Sequence, residues 1–217
     1  MKGIGGKYLA PAAMAALLGA AALAQAETTK STGFSHKALE DKLFYCKTCH
    51  GVSGQGFRGA FPMPRLAGQQ PEYIENQLKA FIEKRRTNPV MGNVAHVLSP
   101  EMVKGLSEGF HSLDPAPLGG GPKGDAAEGK NIFENGIDSA NVPPCASCHG
   151  AEAKGDGQFP RLAGQLSDYV VRKLTNWEKE RGQKPDKPDT SAIMQPIAHN
   201  LTPQQVAAVA AYVSTLK

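Results

Sequence analysis

Cys46-Lys47-Thr48-Cys49-His50-Gly51 recurs as Cys145-Ala146-Ser147-Cys148-His149-Gly150, and these two stretches hold all four cysteines of the chain. The likeness continues outward from them. Phe61-Pro62-Met63-Pro64-Arg65-Leu66-Ala67-Gly68-Gln69 answers to Phe159-Pro160-Arg161-Leu162-Ala163-Gly164-Gln165, the first copy being two residues longer. Ile74, Leu78 and Phe81 match Val170, Leu174 and Trp177 at a constant offset of 96. Farther on the offset is 103, pairing Thr87, Met91, Ala95, His96 and Leu98 with Thr190, Met194, Ala198, His199 and Leu201. An ordered series of this kind is a tandem duplication. Between the copies, Asp114-Pro115-Ala116-Pro117-Leu118-Gly119-Gly120-Gly121-Pro122-Lys123-Gly124 cannot hold a regular element and reads as a linker. The chain therefore divides into modules over 27–113 and 125–217, joined through 114–124.

The local signals are helical. Ile74, Leu78, Phe81 and Ile82 fall at i, i+4, i+7 and i+8, one face of a helix opened by Pro71. Ser99-Pro100 and Thr202-Pro203 each set an N-cap before a proline at the first helical position. Behind them Val103, Leu106, Phe110 and Leu113 parallel Val206, Val209, Val213 and Leu216. Helices are also expected before each cysteine motif, over about 36–46 and 125–135. No convincing alternating strand occurs, so the fold class is all-α. A module of this size is marginal on apolar burial alone, and a covalently held group at its centre supplies the missing core.

C-x-x-C-H is the attachment signature of c-type haem. Two thiols at that spacing add to the two vinyl groups of one porphyrin, and the adjacent histidine reaches the iron. Cys46, Cys49 and His50 form one such set and Cys145, Cys148 and His149 the other, which predicts two covalently bound haem c groups. Structural disulfides need no histidine after each pair. A thioredoxin-type pair belongs after a strand in a βαβ unit. A shared zinc site would need both modules, since each holds only one pair and its histidine.

Each iron needs a sixth ligand. Met194 is the only methionine of the second module, and the repeat selects Met91 as its partner. Met63, in the longer stretch of the first copy, is the runner-up; His96 and His199 are the other duplicated candidates. Methionine filling an apolar gap is the plainer alternative. Thioether ligation raises the reduction potential and fills the iron, which describes an electron carrier rather than an oxygen-activating site. Pro64 and Pro160 are candidates to offer a backbone carbonyl to the other ring nitrogen of each histidine, a simple turn being the alternative. Arg65 and Arg161 are candidates to pair with haem propionates, the alternative being ordinary solvated arginines.

Composition narrows the class further. At 217 residues, 41% hydrophobic and 20% charged, the chain is neither a disordered tail nor a multi-pass membrane protein. Residues 1–26 carry Lys2 and Lys7, an apolar run from Tyr8 to Leu23 and Ala24-Gln25-Ala26, the form of a cleaved export signal. Cleavage there removes two lysines and no acid, so the formal charge falls from +4 to +2. The four or so propionates of two haems take it to about −2. Nothing here argues for nucleic acid.

The two C-x-x-C-H-G motifs, both F-P…L-A-G-Q segments and the Met segments before Leu-Ser/Thr-Pro resemble the di-haem cytochrome c4 family, over roughly residues 36–217. The resemblance implies two cytochrome c domains related by a pseudo-twofold axis, His/Met ligation at both irons and one-electron transfer in the periplasm. It implies redox partner proteins as well: a respiratory donor and a terminal oxidase or reductase, with loose association with the inner membrane in some members. A haem subunit of a periplasmic dehydrogenase serves the same sequence. A di-haem peroxidase or thiosulfate-oxidising enzyme requires one iron that is open or not Met-ligated. Two departures stand out. Gly129 and Phe133 with Tyr212 resemble the helix contact of cytochromes c, whereas the first module has no Gly in its first helix and has Gly109 where Tyr212 stands. The second module carries seven extra residues in the charged stretch Glu178–Asp189.

Overall fold

The computed structural model describes residues 34–119, 121, 124–181 and 190–217. The expected export signal at 1–26 and most of the added charged stretch, 182–189, lie outside the described residues, as do positions 120, 122 and 123 of the linker.

In the first module α1 (His36–His50) is capped by Ser35, whose hydroxyl accepts from Ala38 N. It is followed by α2 (Pro71–Ile82), α3 (Pro89–Ala95) and α4 (Pro100–His111). The second module has α5 (Ala126–Asn135), α6 (Ala146–His149), α7 (Ser167–Thr175), α8 (Trp177–Glu180), α9 (Met194–Asn200) and α10 (Pro203–Val213). Extended pairing among the described residues is limited to isolated bridges, Phe57 with Met63, Ile137 with Val142, and Asp156 with Phe159. Cap chemistry explains where the helices begin. Ser99 accepts from Met102 N ahead of α4, and Thr202 and Gln205 form a reciprocal capping box ahead of α10.

The two copies part company at the cysteine motif. In the first, α1 runs without a break through Cys46 and Cys49 to His50, four residues beyond the expected end. In the second, α5 stops at Gly136, whose φ of 74° suits glycine, and the motif sits on the separate short helix α6. The sequence supplies the reason: Pro143-Pro144 precede Cys145, whereas Phe44-Tyr45 precede Cys46.

Each module closes its own core. Ile74, Leu78, Phe81, Val103 and Phe110 pack together in the first, with Cys46 and Met91 against them. Ile132, Phe133, Val170, Val209 and Val213 pack together in the second, with Cys145 and Leu174 against them. The first-against-last helix crossing is solved differently in each. In the second module a Cβ on Gly129 would sit 2.0 Å from the Ala208 carbonyl oxygen, so α5 meets the α10 backbone directly. The Phe133 and Tyr212 rings flank that crossing with centroids 5.5 Å apart. In the first module the glycines have moved to the last helix. A Cβ on Gly105 would meet the Phe34 ring at 2.7 Å, and one on Gly109 the Leu43 side chain at 2.9 Å. Backbone approach in one copy has become side-chain approach in the other. Gly129→Ala is therefore expected to cost about 1–3 kcal/mol by overpacking, read from denaturant unfolding of the haem-loaded protein, with Gly109→Ala costing less because a leucine side chain yields more readily than a carbonyl.

Candidate haem sites and the seam between them

His50 ends α1 and His149 ends α6, and both rings are buried, 7% and 6% exposed. His50 Nδ1 lies 3.0 Å from the Pro64 carbonyl oxygen, and His149 Nδ1 lies 2.8 Å from that of Pro160. A carbonyl oxygen only accepts, so Nδ1 carries the proton and the Nε2 lone pair is left for a metal. Burial pushes both imidazoles below their ordinary value, in spite of the carbonyl bond that favours the charged form. The rings are thus neutral at pH 7, the state a metal ligand needs.

The four thiols are all unpaired. Cys46 and Cys145 lean against their module's core, and burial raises both, Cys145 to about 11. Cys49 and Cys148 are exposed on the outer side of each motif. Met91 is half-buried against the first core, on the short helix α3, where its N–H donates to Asn88 Oδ1 at 3.0 Å. Met194, also half-buried, opens the equivalent helix α9. Ala95 and Ala198, at the same offset, are the buried residues of those helices. His96 and His199 are exposed, and His199 lies 3.5 Å from Glu178 Oε1. Met63 pairs with Phe57 as Phe159 pairs with Asp156. It is therefore the counterpart of Phe159, and Phe61 stands out in a longer loop with Arg172 over its ring at 5.1 Å.

The turns that carry Pro64 and Pro160 also join the modules. Arg65 N donates to Gln165 Oε1 at 2.8 Å and Gln165 Nε2 donates to the Arg65 carbonyl at 3.0 Å. The reciprocal pair is Arg161 N to Gln69 Oε1 at 2.7 Å and Gln69 Nε2 to the Arg161 carbonyl at 3.0 Å. One amide side chain from each module reads the backbone of the other, which is a pseudo-twofold seam. Nothing in the sequence marked Gln69 or Gln165 as a contact across 92 to 100 residues.

Arg65 and Arg161 are buried at this seam, 3% and 9% exposed, so they are not solvated arginines. Each Nε donates to the carbonyl two residues on, Ala67 or Ala163, at 3.1 Å. Burial and the Arg161 charge depress the Arg65 guanidinium, and Asp114, 3.6 Å away, offsets this only in part. Arg65 Nη1 is buried with no partner among the described residues.

This donor set fits haem. Each module offers two thiols, a neutral buried imidazole with Nε2 free and a half-buried thioether. The seam adds an unpartnered buried guanidinium N–H, which suits a carboxylate. The cytochrome c family model matches residues 41–110 and 126–217, most of both modules. The chain belongs to the cytochrome c family. Cytochrome c-552 of Acidithiobacillus ferridurans is 37% identical over 177 residues, covering 79% of this chain and 73% of that one. A thiosulfate dehydrogenase electron acceptor of Stutzerimonas stutzeri is 34% identical, covering 77% and 76%. The solved structure of cytochrome c4 from Acidithiobacillus ferrooxidans superposes with a TM-score of 0.67 at 36% identity, covering 79% of this chain and 98% of that one. The chain is accordingly an electron-carrying di-haem cytochrome of the c4 kind, with covalently bound haem c in each of two cytochrome c domains. Among the described residues no helix is long and apolar enough to cross a membrane.

Gln69→Leu leaves a buried N–H and carbonyl of Arg161 without partners, which costs about 1–3 kcal/mol. The expected outcome in calorimetry is an early transition that separates from the rest as the modules lose their common seam; a single unshifted transition would show that the seam contributes nothing to stability.

Proposed function

We propose that the protein is a periplasmic one-electron carrier in which one iron is held between His50 and Met91 and the other between His149 and Met194. When bound, each haem supplies a one-electron ferric/ferrous couple. The residues of the chain do the rest. The Pro64 and Pro160 carbonyls fix the tautomer and plane of each histidine, so that Nε2 faces the metal without reorganising as charge changes. Met91 and Met194 would hold the irons as second protein ligands, and a thioether there would leave no site for a small substrate and would favour the ferrous state. Arg65, with its unpartnered Nη1, and Arg161 beside it hold propionates at the seam.

The observation that carries this reading is the repetition of the whole set: buried histidine, proline carbonyl and methionine-bearing seven-residue helix occur in each module. The exposure of His96 and His199 supports methionine over these histidines. A periplasmic address rests on the export signal expected at residues 1–26. A relative named as the electron acceptor of thiosulfate dehydrogenase favours a second statement about partners: the donor is a periplasmic dehydrogenase and the acceptor a terminal oxidase or reductase. In that arrangement the oxidation takes place on the partner and this chain only receives electrons.

Optical spectra of the purified protein in both redox states, with haem quantification, test the ligation. Two haems per chain, a full-strength ferric methionine-to-iron charge-transfer band and no response of the ferrous protein to carbon monoxide are expected. A haem that lacks the band or binds carbon monoxide would put an open or differently ligated iron in that module, and with it an enzyme.

A further inference from the structure

The two cysteine motifs share a backbone and differ in what they show to solvent. On α1 the inward stripe is Leu39, Leu43, Cys46 and His50. Leu43 and Cys46 pack against the first core, Leu39 faces Gly105 of α4, and His50 is buried. Phe44 and Tyr45 stand off that stripe, 73% and 54% exposed, and Val52, just past the helix end, is 84% exposed. Phe57 is exposed as well, on a loop pinned to the helix end by Gly56 N–H, which donates to the His50 carbonyl at 2.8 Å.

This surface adjoins a point of haem attachment. Thr48 Oγ1 donates to the Tyr45 carbonyl at 2.7 Å and lies 3.9 Å from Cys49 Sγ, and Cys49 is itself exposed. Lys42 Nζ lies 5.4 Å from the centroid of the Tyr45 ring. From 42 to 57 the chain holds Lys42 and Lys47 and no carboxylate. The carboxylates farther up α1, Glu40 and Asp41, are paired with His36 and Lys37. The face is apolar at its centre and cationic at its rim.

The second module keeps the scaffold and drops the surface. Ser147 donates to the Pro144 carbonyl at 2.7 Å and Gly155 N to the His149 carbonyl at 2.9 Å, as Thr48 and Gly56 do in the first. Yet at the motif offset of 99, Phe44, Tyr45, Val52 and Phe57 answer to Pro143, Pro144, Ala151 and Asp156. Lys42 and Lys47 answer to Asn141 and Ala146, and Ser53 to Glu152. The motif therefore folds without exposed aromatics and without these lysines, so its own architecture does not call for them. Large apolar side chains held in water together mark a contact surface. Residues 27–33, 120, 122, 123 and 182–189 contain no aromatic or branched aliphatic side chain to cover it.

We propose that this face of the first module is the docking surface for a redox protein whose own apolar patch is bordered by carboxylates, and that electrons pass between that partner and the chain through the first haem. The apolar centre supplies the contact and the two lysines select and steer an acidic partner. The second motif face, with Glu152 and Asp156 against Lys154, offers neither. One electron moves between the partner's redox centre and the first haem, one being oxidised as the other is reduced, and no bond forms or breaks. The inference rests on the electron-carrier reading and names the face that reading uses.

The probe is plastocyanin, a small protein whose apolar face is bordered by carboxylates, carrying redox-silent zinc so that binding alone is read. Amide shifts of the isotope-labelled, haem-loaded ferrous protein are expected to change within 42–57 and to stay put within 141–156. Binding should weaken between about 20 and about 200 mM salt. The double variant Lys42→Glu, Lys47→Glu should bind about tenfold more weakly at low salt, and Phe44→Ser about tenfold more weakly at either salt. Ala146→Glu, at the position equivalent to Lys47, should bind as the natural chain does. No binding, or shifts centred on 141–156, would overturn the proposal. Shifts at 42–57 produced by phosphatidylglycerol vesicles and not by plastocyanin would overturn it in favour of a membrane surface. A doubled mass in sedimentation, lost in Phe44→Ser, would overturn it in favour of a second copy of the chain. The shift map of the natural protein decides the matter if a variant does not fold. Failure of the electron-carrier reading shows separately, as carbon monoxide binding by the ferrous protein.

Discussion

Both haem sites and the seam between them depend on one turn, Pro-Arg-Leu-Ala-Gly-Gln, which the chain contains twice. Its proline carbonyl holds the motif histidine. Its glycine, at φ 70° in Gly68 and 69° in Gly164, takes the left-handed conformation and gives its N–H to the end of the last helix, at Phe110 O or Val213 O. Its glutamine crosses to the other module and pairs with the backbone of the equivalent turn. Three separate demands therefore converge on six residues: the plane of the motif histidine, the docking of a helix and the register of one module against its copy. A change that loosens the turn is transmitted to all three.

Duplication set this arrangement up, and divergence has made the halves unlike. The first motif lies on a continuous helix and the second on a short one behind two prolines. Exposed Phe44, Tyr45 and Val52 flank the first motif, where Pro143, Pro144 and Ala151 flank the second, so the two modules present different surfaces to anything that approaches. At the offset of 96 Gln77 of the first module answers to Lys173 of the second, and glycine has changed helices at the α1–α4 crossing. Two chemically similar haem sites thus lie in dissimilar electrostatic and steric surroundings.

Much of this was legible in the sequence because its signals are local. The C-x-x-C-H motifs, the Ser-Pro and Thr-Pro caps and the 3.6-residue periodicity of Ile74, Leu78 and Phe81 each state their meaning within a few residues. The proline carbonyls were legible through the repeat. The seam was not, because Gln69 and Gln165 read as ordinary turn residues until the second module is folded against the first. Arg65 and Arg161 read either as partners of haem propionates or as solvated arginines, and their burial at the seam was hidden for the same reason. Across the seam Arg86 donates to the Tyr169 hydroxyl at 2.9 Å and Arg181 to the Tyr73 hydroxyl at 3.0 Å, a pair hidden by the alignment itself: the offset of 96 pairs Arg181 with Arg85, yet Arg86 takes the matching role. Tertiary position overrode register there. The continuation of α1 to His50 follows from an absence, the lack of any helix breaker before Cys46, which periodicity alone does not announce.

A crystal structure of the haem-loaded protein is the most direct measurement of the central claim, that each module builds its own closed His/Met iron site and that the shared turn holds the two together. The account predicts iron between His50 Nε2 and Met91 Sδ in one module and between His149 Nε2 and Met194 Sδ in the other, with both proline carbonyls on Nδ1 and both glutamines across the seam. Iron bound by Met63, His96 or His199, or left open on one side, would contradict it.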